Sequence, residues 1–240
     1  MKMQEQKLKA LLTRQEFKKA DTIDAGKLMY WQQRAQACAE VENGIAVLSD
    51  FQQGDNYVYA GHLGRCLGLP PISHDTASAF EEEIFSRIPP EELWERHVLE
   101  LRYFQFQKSV PIHERSSYCM VHALHFLVPP QKRIPILHRS YYLESLPNGS
   151  IWLALCLYTP FVGTGGAPVR AILDNRTGEA LLSETYHQLD AQLLSPRETD
   201  VLRLLAKGHS SKQIAEMLCL SVHTIYRHRQ NILAALQVRN

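Results

Sequence analysis

Three helix-start patterns follow one another at short spacing near the C-terminal end of the chain, and together they predict a compact unit of three helices. Ser195 is followed by a proline and, three residues after the serine, by Glu198, which is the pattern of a capping box with proline at the first helical position. Ser210 and Gln213 repeat the capping box, and Ser221 is expected to cap the third helix. The short spacing of these caps leaves room only for tight turns between the helices.

Apolar residues recur at helical spacing within each predicted helix, and Gly208 supplies the left-handed residue that ends the first one. Three such short helices are stable only if they share one core. The residues predicted to form that core are Val201, Leu202 and Leu205 in the first helix, Ile214, Ala215 and Leu218 in the second, and Ile225, Ile232 and Leu236 in the third.

The third helix presents a face that contains no acidic residue. At about 100° per residue, the residues predicted to lie on this outer face are His223, Tyr226, Arg227, Gln230 and Ala234. A helix of about 10 Å diameter fits the major groove of DNA, where arginine can pair with guanine and glutamine with adenine. The flanks are better placed for phosphates or for packing. The flanking residues are His228 and Asn231 on one side and Arg229 on the other.

These positions are the ones by which the segment from Leu194 to Asn240 resembles the LuxR-type, or GerE-type, DNA-binding domain of bacterial transcription regulators. The matching residues are Ser195 to Glu198, Leu204 to Gly208, Lys212, Ile214, Ala215, Leu218, Ser221, Thr224, Ile225, His228, Asn231, Ile232 and Leu236. The resemblance implies that the third helix lies in the major groove of double-stranded promoter DNA. The residues assigned to DNA are Tyr226, Arg227 and Gln230 for bases, and Lys212, Thr224 and His228, with Asn231 beside them, for the backbone.

Tyr226 departs from the family pattern, which often has a charged residue at this position. A small helical domain that binds protein is the alternative interpretation of the segment. The charge distribution favours nucleic acid, since residues 190–240 contain seven Lys and Arg against four Asp and Glu, whereas residues 1–189 contain 19 against 21.

The length of 240 residues allows two domains, each with its own core. No leader peptide is apparent, because residues 1–20 are charged throughout, and no apolar run reaches the ~18 residues of a membrane span. The five cysteines are odd in number, widely spaced and free of any C-x-x-C pair, which indicates reduced thiols. These features predict a cytoplasmic globular protein that does not interact with membranes.

Residues 1–43 are predicted to form two helices. The first, Glu5 to Lys19, carries a stripe of Leu8, Leu11 and Leu12. The second, Asp24 to Glu42, carries a stripe that consists of Leu28, Trp31, Ala35, Cys38 and Ala39. Either helix could cover a sheet or form a dimer contact. In the resembling family a fourth helix, which would follow Asn240, commonly makes that contact, so the leucine stripe is the candidate here.

A β-rich pattern fills residues 44–182 and is followed by a predicted linker helix over 183–193. The predicted order is two short strands at Gly44–Asp50 and Tyr57–Ala60, helical segments over residues 75–108 that Pro89 and Pro90 interrupt, strands at Tyr118–Val128, Ile136–Glu144 and Ile151–Phe161, and a hairpin at Val169–Leu182. The fold class predicted is therefore α+β: an antiparallel sheet with helices, then an all-α domain over 194–240.

The order of these elements resembles a PAS-type sensor domain over roughly residues 40–162. The motifs that carry the resemblance are Gly44–Asp50, then Tyr59, Leu67 and Gly68, then Ile88–Leu93 before a helix. Together with Thr177–Glu179 and His228–Leu233, the arrangement resembles PAS-plus-LuxR regulators of the Bacteroides group. The resemblance implies a domain that senses a signal or mediates assembly.

Aromatic residues on the β-rich segments predict a pocket for a small apolar ligand. The candidate lining residues are Phe126, Tyr141, Trp152 and Tyr158, with His125 or His138 as orienting groups. A purely structural or dimer-forming role is the equal alternative.

No metal site or cofactor is expected. Cys119 and His125 share one strand face whereas His122 points to the other, so the three would not converge on an ion. The sequence thus predicts a homodimeric DNA-binding regulator that is not an enzyme and holds no metal ion. The alternatives are an acyl-homoserine-lactone-type regulator, a metal- or haem-sensing regulator, and an enzyme-like domain with a DNA-binding tail.

Overall fold

A computed structural model describes residues 15–17, 24–128, 132–161, 169–193, 195–206 and 209–235. Contacts between Cα atoms divide the chain into two compact units, residues 11–181 and residues 182–240 together with 1–10. The leucine stripe predicted at Leu8, Leu11 and Leu12 lies outside the described residues. No helix within the described ranges is both long enough and apolar enough to cross a membrane.

The first unit combines a seven-stranded sheet with helices. Its helices are α1 (Ala25–Val41), α2 (His62–Cys66), α3 (Glu82–Phe85), α4 (Pro90–Ser109) and a 3₁₀ helix (Ile112–Ser117). Its strands are β1 (Ile45–Asp50), β2 (Asp55–Ala60), β3 (Ile72–Asp75), β4 (Tyr118–Val128), β5 (Lys132–Ser145), β6 (Ile151–Pro160) and β7 (Arg170–Asp174).

The strands pair antiparallel throughout in the order β3-β2-β1-β6-β5-β4-β7. The chain leaves the sheet after β3 and returns at β4, so the segment with α3 and α4 is the long connection between the two halves of the sheet. Strand β6 lies at the centre of the sheet, and its residues from Ile151 to Thr159 are all buried. This strand is therefore covered on both faces.

Helix α1 covers one face of the sheet, which we call the α1 face. Its capping residue Asp24 accepts a hydrogen bond from the Lys27 amide at 3.0 Å. The stripe predicted on α1 packs against this face of the sheet. From the helix, the buried cluster and its partly buried neighbours include Leu28, Trp31, Ala35, Cys38 and Ala39. From the strands, they include Ala46, Leu48, Tyr59, Leu153, Leu155 and Leu157. This prediction of a covering helix is confirmed.

The opposite face of the sheet, which we call the α4 face, is also covered. On β6, Cys156 and Tyr158 alternate with the leucines of the α1 face, because successive side chains of a strand point to opposite sides. Helix α4 contributes buried polar and charged residues to this side: Arg96, His97, Glu100 and Gln107. The two faces of the sheet therefore differ in chemistry.

Three details of the sheet region differ from the sequence prediction. Residues 75–81 are not helical; Asp75 ends strand β3, which pairs with β2, and the first helix after it is only Glu82–Phe85. Pro90 begins helix α4 rather than interrupting one, since a proline at the first position needs no amide hydrogen bond. The hairpin expected over 169–182 has only one full strand, and its return arm is a single bridge between Leu173 and Ala180.

The second unit is helical. Its described helices are α5 (Ser183–Leu193), α6 (Pro196–Ala206), α7 (Ser211–Leu218) and α8 (Val222–Ala235). The core shared by the last three helices consists of Val201, Ile214, Ala215, Ile225 and Ile232, with Leu202, Leu204, Leu205, Leu218 and Leu220 partly buried around it. The three-helix prediction is confirmed over these residues, whereas the predicted positions Gly208 and Leu236 lie outside the described ones.

Truncating Ile225 to alanine is expected to destabilise the helical unit by about 2–5 kcal/mol, because this fully buried side chain contacts the shared core and its loss leaves a cavity. Urea unfolding followed by circular dichroism measures the effect. Val222→Ala, at an apolar position 38% exposed in the same helix, is the control and should change stability by less than about 0.5 kcal/mol. Equal effects of the two substitutions would contradict the assigned core.

Candidate nucleic-acid interface and sensor core

Helix α6 begins with a closed capping box. The Ser195 amide and hydroxyl both donate to the Glu198 carboxylate, at 2.8 and 2.7 Å, and the Glu198 amide donates back to the Ser195 hydroxyl at 3.3 Å. The hydrogen bonds from Ser195 lower the pKa of Glu198, and a further hydrogen bond from Asn231 adds to the effect. Glu198 thus ties the start of α6 to α8 and stays ionised.

The turn between α7 and α8 is set by local hydrogen bonds. Ser210 caps α7 through a complete capping box with Gln213. Cys219 ends α7 in the left-handed region, at φ +53°. Ser221 then accepts a hydrogen bond from the Thr224 amide at 3.0 Å, which starts α8. The two helices are therefore joined by only three residues in a fixed conformation.

A side-chain contact fixes α8 against α7 as well. The Arg229 guanidinium donates to the hydroxyl of Ser211, the first residue of α7, at 2.7 Å. Both residues are at least partly buried. This flank of α8, which the sequence left open between phosphate contact and packing, is used for packing.

The outer face of α8 is open to solvent. Its exposed residues are His223, Tyr226, Arg227 and Gln230, as the helical periodicity predicted. Tyr226 is 54% exposed, and no acidic residue occurs anywhere in the helix. The described part of this face therefore offers cationic and neutral hydrogen-bonding groups with no carboxylate to repel phosphates.

The seven residues predicted to bind DNA fall into two groups. Those exposed without a described side-chain partner are Lys212, Tyr226, Arg227 and Gln230. The other three contribute to the internal structure: Thr224 bonds the capping Ser221, Asn231 bonds Glu198, and His228 is partly buried beside Glu198. The resemblance alone carried no sign of these internal contacts. Contact with DNA stays a prediction for all seven.

The α4 face of the sheet contains a buried ionic cluster. Arg96, 1% exposed, donates to Glu81 at 3.0 Å and to Glu100 at 2.7 Å. The Tyr158 hydroxyl donates to the same Glu81 oxygen at 2.8 Å. Burial raises the pKa of Glu100 to about 7, and the neighbouring Arg96 offsets part of that shift. The cluster joins α4, the segment before α3 and the central strand β6.

Two histidines extend this polar region across the sheet. His122 on β4 lies opposite His138 on β5, and His138 lies opposite Tyr158 on β6. The rings of His138 and Tyr158 are stacked with centroids 4.5 Å apart. Burial lowers the pKa of His122 to about 4, and the nearby cation of Arg170 adds to this shift. Burial also lowers the pKa of His138 well below its usual range, and the cation of Arg96 adds to that shift. Both imidazoles are therefore neutral at neutral pH.

The four residues predicted to line one pocket do not lie together. Phe126 and Tyr158 meet on the α4 face, with ring centroids 5.6 Å apart. Tyr141 and Trp152 instead belong to the apolar cluster of the α1 face. The odd spacing of His138 and Tyr141 along β5 explains the separation of Tyr141, since it places Tyr141 on the side of the sheet opposite His138 and its partner Tyr158. A pocket with all four side chains in its wall is thus not formed.

The histidines considered for a metal site are held separately. His125 is bonded through its Nδ1 atom to Glu92 at 3.0 Å, whereas His122 is buried on the α4 face. Among the residues that the structure describes, no three His, Cys, Asp or Glu side chains converge in a way that could hold a metal ion.

The buried ionic cluster of the first unit was not predicted from the sequence. Glu81 stands in a run of three glutamates, a pattern typical of a solvated helix start, but it is 5% exposed and bonded to Arg96 and Tyr158. The available signal was the pair Arg96 and Glu100, four residues apart on α4 between the apolar positions Leu93, Leu99 and Tyr103.

We expect the stability of the first unit to fall between pH 6 and 8 because of Glu100. Its pKa rises from 4.5 to about 7 on folding, so the stabilisation from its protonated form is complete below pH 4.5 and is lost as the pH rises through 7. Between pH 6 and pH 8, the free energy of unfolding of the wild type should fall by about 1–1.5 kcal/mol more than that of Glu100→Gln. Thermal unfolding of both proteins across this range measures it.

His122 has the opposite effect on the pH dependence of stability. Because its pKa is lowered on folding, it stabilises the folded unit above pH 6.5, and this stabilisation is lost as the pH falls from 6.5 through about 4. It is present in both proteins, so the comparison isolates Glu100. The exposed Glu83→Gln is the matched control and should follow the wild-type profile. Parallel profiles for wild type and Glu100→Gln would contradict the assignment.

The comparisons with known proteins concern mainly the second unit. Residues 192–240 match the family model described as bacterial regulatory proteins, luxR family. The match contains α6, α7 and α8, so this segment is a LuxR-type helix-turn-helix DNA-binding domain, as its motifs indicated.

Curated relatives match over part of their length. The oxygen regulatory protein NreC of Staphylococcus carnosus (strain TM300) is 41% identical over 49 residues, which are 20% of this chain and 23% of that protein. NreC of Staphylococcus epidermidis (strain ATCC 12228 / FDA PCI 1200) is 41% identical over 106 residues, 42% of this chain and 48% of that protein. The chain therefore spans less than half the length of these relatives.

Solved structures of low similarity cover most of the chain. VqmA bound to DPO has a TM-score of 0.28 at 14% identity and covers 90% of this chain and 86% of its own. SdiA of Escherichia coli has a TM-score of 0.23 at 14% identity and covers 92% and 87%. Superpositions this poor support no conclusion about the fold.

Proposed function

We propose that the protein is a bacterial transcription regulator that binds double-stranded promoter DNA through helix α8, and that it is not an enzyme. The observation that carries the proposal is the acid-free outer face of α8, on which Arg227 and Gln230 are exposed beside Tyr226. The luxR-family match over residues 192–240 supports it. A helix with these groups fits the major groove and can pair with guanine and adenine.

The rigidity of the helical unit supports base recognition. A reading helix discriminates between bases only if its position on the DNA is fixed. Here α8 is held by the bond from Arg229 to Ser211, by the bond from Asn231 to Glu198, and by the fixed turn that begins at Cys219. The DNA contact set proposed from the structure is therefore Tyr226, Arg227 and Gln230 for bases and Lys212 for phosphate.

We propose further that the first unit is a PAS-like sensor domain. Support comes from the order of its five central strands, β2-β1-β6-β5-β4, with the helical connection between β3 and β4 that covers one face. The domain boundaries proposed are residues 1–43 for the N-terminal helices, 44–182 for the sensor, 183–193 for the linker helix and 194–240 for the DNA-binding domain. The linker is consistent with α5, and the division of the chain near residue 181 agrees with the sensor boundary.

We propose that the active species is a homodimer in the cytoplasm. One three-helix unit touches few base pairs, and two-fold pairing on half-sites about one helical turn apart is the usual solution. Sedimentation equilibrium of the full chain tests this: a monomer at tens of micromolar, in the presence and absence of a palindromic site, would contradict it.

Arg227→Ala is expected to weaken binding to a specific site by about 1–3 kcal/mol and to relax base preference at one position, because the bidentate contact with a base is lost. The site is first selected from a random DNA pool with the wild-type chain. Fluorescence anisotropy then measures affinity for this site and for all single-base variants at the position.

Arg197→Ala is the matched control, since Arg197 is an exposed arginine on α6 of the same unit and is outside the proposed reading face. Lys212→Ala, in contrast, should weaken all sequences alike and reduce the salt dependence by about one unit. Unchanged affinity and base preference in Arg227→Ala would refute the base-reading role.

A further inference from the structure

The exposed face of α8 contains two rows of side chains that differ in chemistry. His223 and Arg227, which are four residues apart, form a polar row. Val222 and Tyr226 have the same spacing and form a second row, which contains one aliphatic and one aromatic side chain. Residues at this spacing are neighbours on a helix, with Cβ atoms about 5–6 Å apart. We call the second pair the Val222–Tyr226 row.

Both members of the Val222–Tyr226 row are in contact with water. Val222 is 38% exposed and Tyr226 is 54% exposed, whereas Ile225 and Ile232 of the same helix are buried in the shared core. Single apolar residues are common on protein surfaces, but these two are neighbours on the face proposed to meet DNA. Because removal of apolar surface from water is favourable, the row can contribute to binding if DNA covers it with an apolar group.

The position of the row along α8 is suited to contact with bases. Val222 is the first residue of the helix, and Tyr226 lies one turn further on. The N-terminal residues of a recognition helix are the ones that contact base edges in the major groove. The hydrogen bond from the Thr224 amide to Ser221 fixes the backbone at this end of the helix. The row is therefore held in place where base edges would be read.

The base edges of unmodified DNA offer one apolar group in the major groove, the 5-methyl group of thymine. A valine side chain forms no hydrogen bonds, so against the acceptors of guanine or adenine it would remove water without replacing it, which is costly. The amino group of cytosine is read by carboxylates, and α8 contains no acidic residue. Thymine is therefore the base that the Val222–Tyr226 row fits best.

We infer that Val222 and Tyr226 are a specificity-determining pair that recognises the 5-methyl group of a thymine in the bound DNA. This inference rests on the proposed function and adds thymine to the bases assigned to Arg227 and Gln230. Position 226 is where the resembling family often has a charged residue, which would favour a phosphate or a hydrogen-bonding base edge. Tyrosine at this position next to an exposed valine instead favours an apolar contact.

The test starts from the DNA site that the full chain selects from a random pool. Each thymine of one half-site is replaced in turn by deoxyuridine, which lacks the 5-methyl group but keeps every hydrogen-bonding group of the base. Fluorescence anisotropy measures the affinity for each duplex. At one thymine, the replacement should weaken binding by about three- to fivefold, which corresponds to the loss of one buried methyl group.

Variants of the row show whether these side chains are responsible. The ratio of affinities for the thymine and deoxyuridine duplexes should fall in Tyr226→Ala and approach one when Val222→Ala is added. Tyr226→Phe should keep the wild-type ratio, because the ring is retained and only the hydroxyl is lost. Met217→Ala is the matched control and should also keep it, since Met217 is an apolar residue of α7 that is likewise 54% exposed. Circular dichroism verifies that each variant is folded.

A second measurement adds the methyl group instead of removing it. The base pair that contains the responsive thymine is changed to a cytosine–guanine pair, with either cytosine or 5-methylcytosine. These two duplexes differ at this position only by the methyl group. The wild type should bind the methylated duplex about three- to fivefold more tightly, and the variant with both alanine substitutions should bind the two equally.

The possible results separate this inference from the proposed function. It is overturned if no thymine responds to deoxyuridine, if the response persists with both alanine substitutions, or if Tyr226→Phe or Met217→Ala abolishes it. Equal binding of the cytosine and 5-methylcytosine duplexes by the wild type would also overturn it. Specific binding to a site without a responsive thymine leaves the regulator proposal intact, whereas failure of the wild type to select any site rejects both.

Discussion

The architecture of the first unit depends on the buried guanidinium of Arg96. Arg96 is almost fully removed from water, and a guanidinium in such a place is tolerated only when carboxylates and hydrogen bonds replace its hydration. Glu100 supplies one partner from the same helix, and Glu81 supplies the other from the segment before α3. Because Tyr158 of β6 bonds the same Glu81 oxygen, the position of α4 is fixed relative to the central strand.

The ionic cluster also explains why the two faces of the sheet differ. On the α1 face, the core consists mainly of leucines and alanines with a few aromatic residues, and their close packing stabilises the unit. On the α4 face, Arg96 makes a polar environment in which His138, Ser140 and Tyr142 are retained at positions where apolar residues would pack more favourably. The ionic cluster and the neutral histidines therefore lie on the same side of the sheet, the α4 face.

Sequence reasoning succeeded where the determinants are local. The caps at Ser195, Ser210 and Ser221 depend on residues three positions apart, so the three helices and their core could be predicted with the correct order. Most strands could also be predicted from their apolar pattern, but the short strand β3 (Ile72–Asp75) was not. The buried role of Glu81 could not be read in this way, because its partner Arg96 is fifteen residues away and Tyr158 is seventy-seven residues away. The separation of Tyr141 from Phe126 and Tyr158 was not predicted for the related reason that strand pairing decides which side chains share a face.

The DNA-binding surface shows the same division between local pattern and tertiary contact. A family resemblance assigns roles to positions, but a side chain already bonded inside the domain has less freedom to reach a phosphate. Asn231 is bonded to Glu198, and Thr224 is bonded to Ser221, so their roles in holding α8 are carried by contacts that exist without DNA. The residues left to face a ligand are the exposed ones, Tyr226, Arg227 and Gln230, together with Lys212 on α7. The recognition that we propose for this unit is therefore concentrated on one narrow stripe, and the bonded residues determine where that stripe lies.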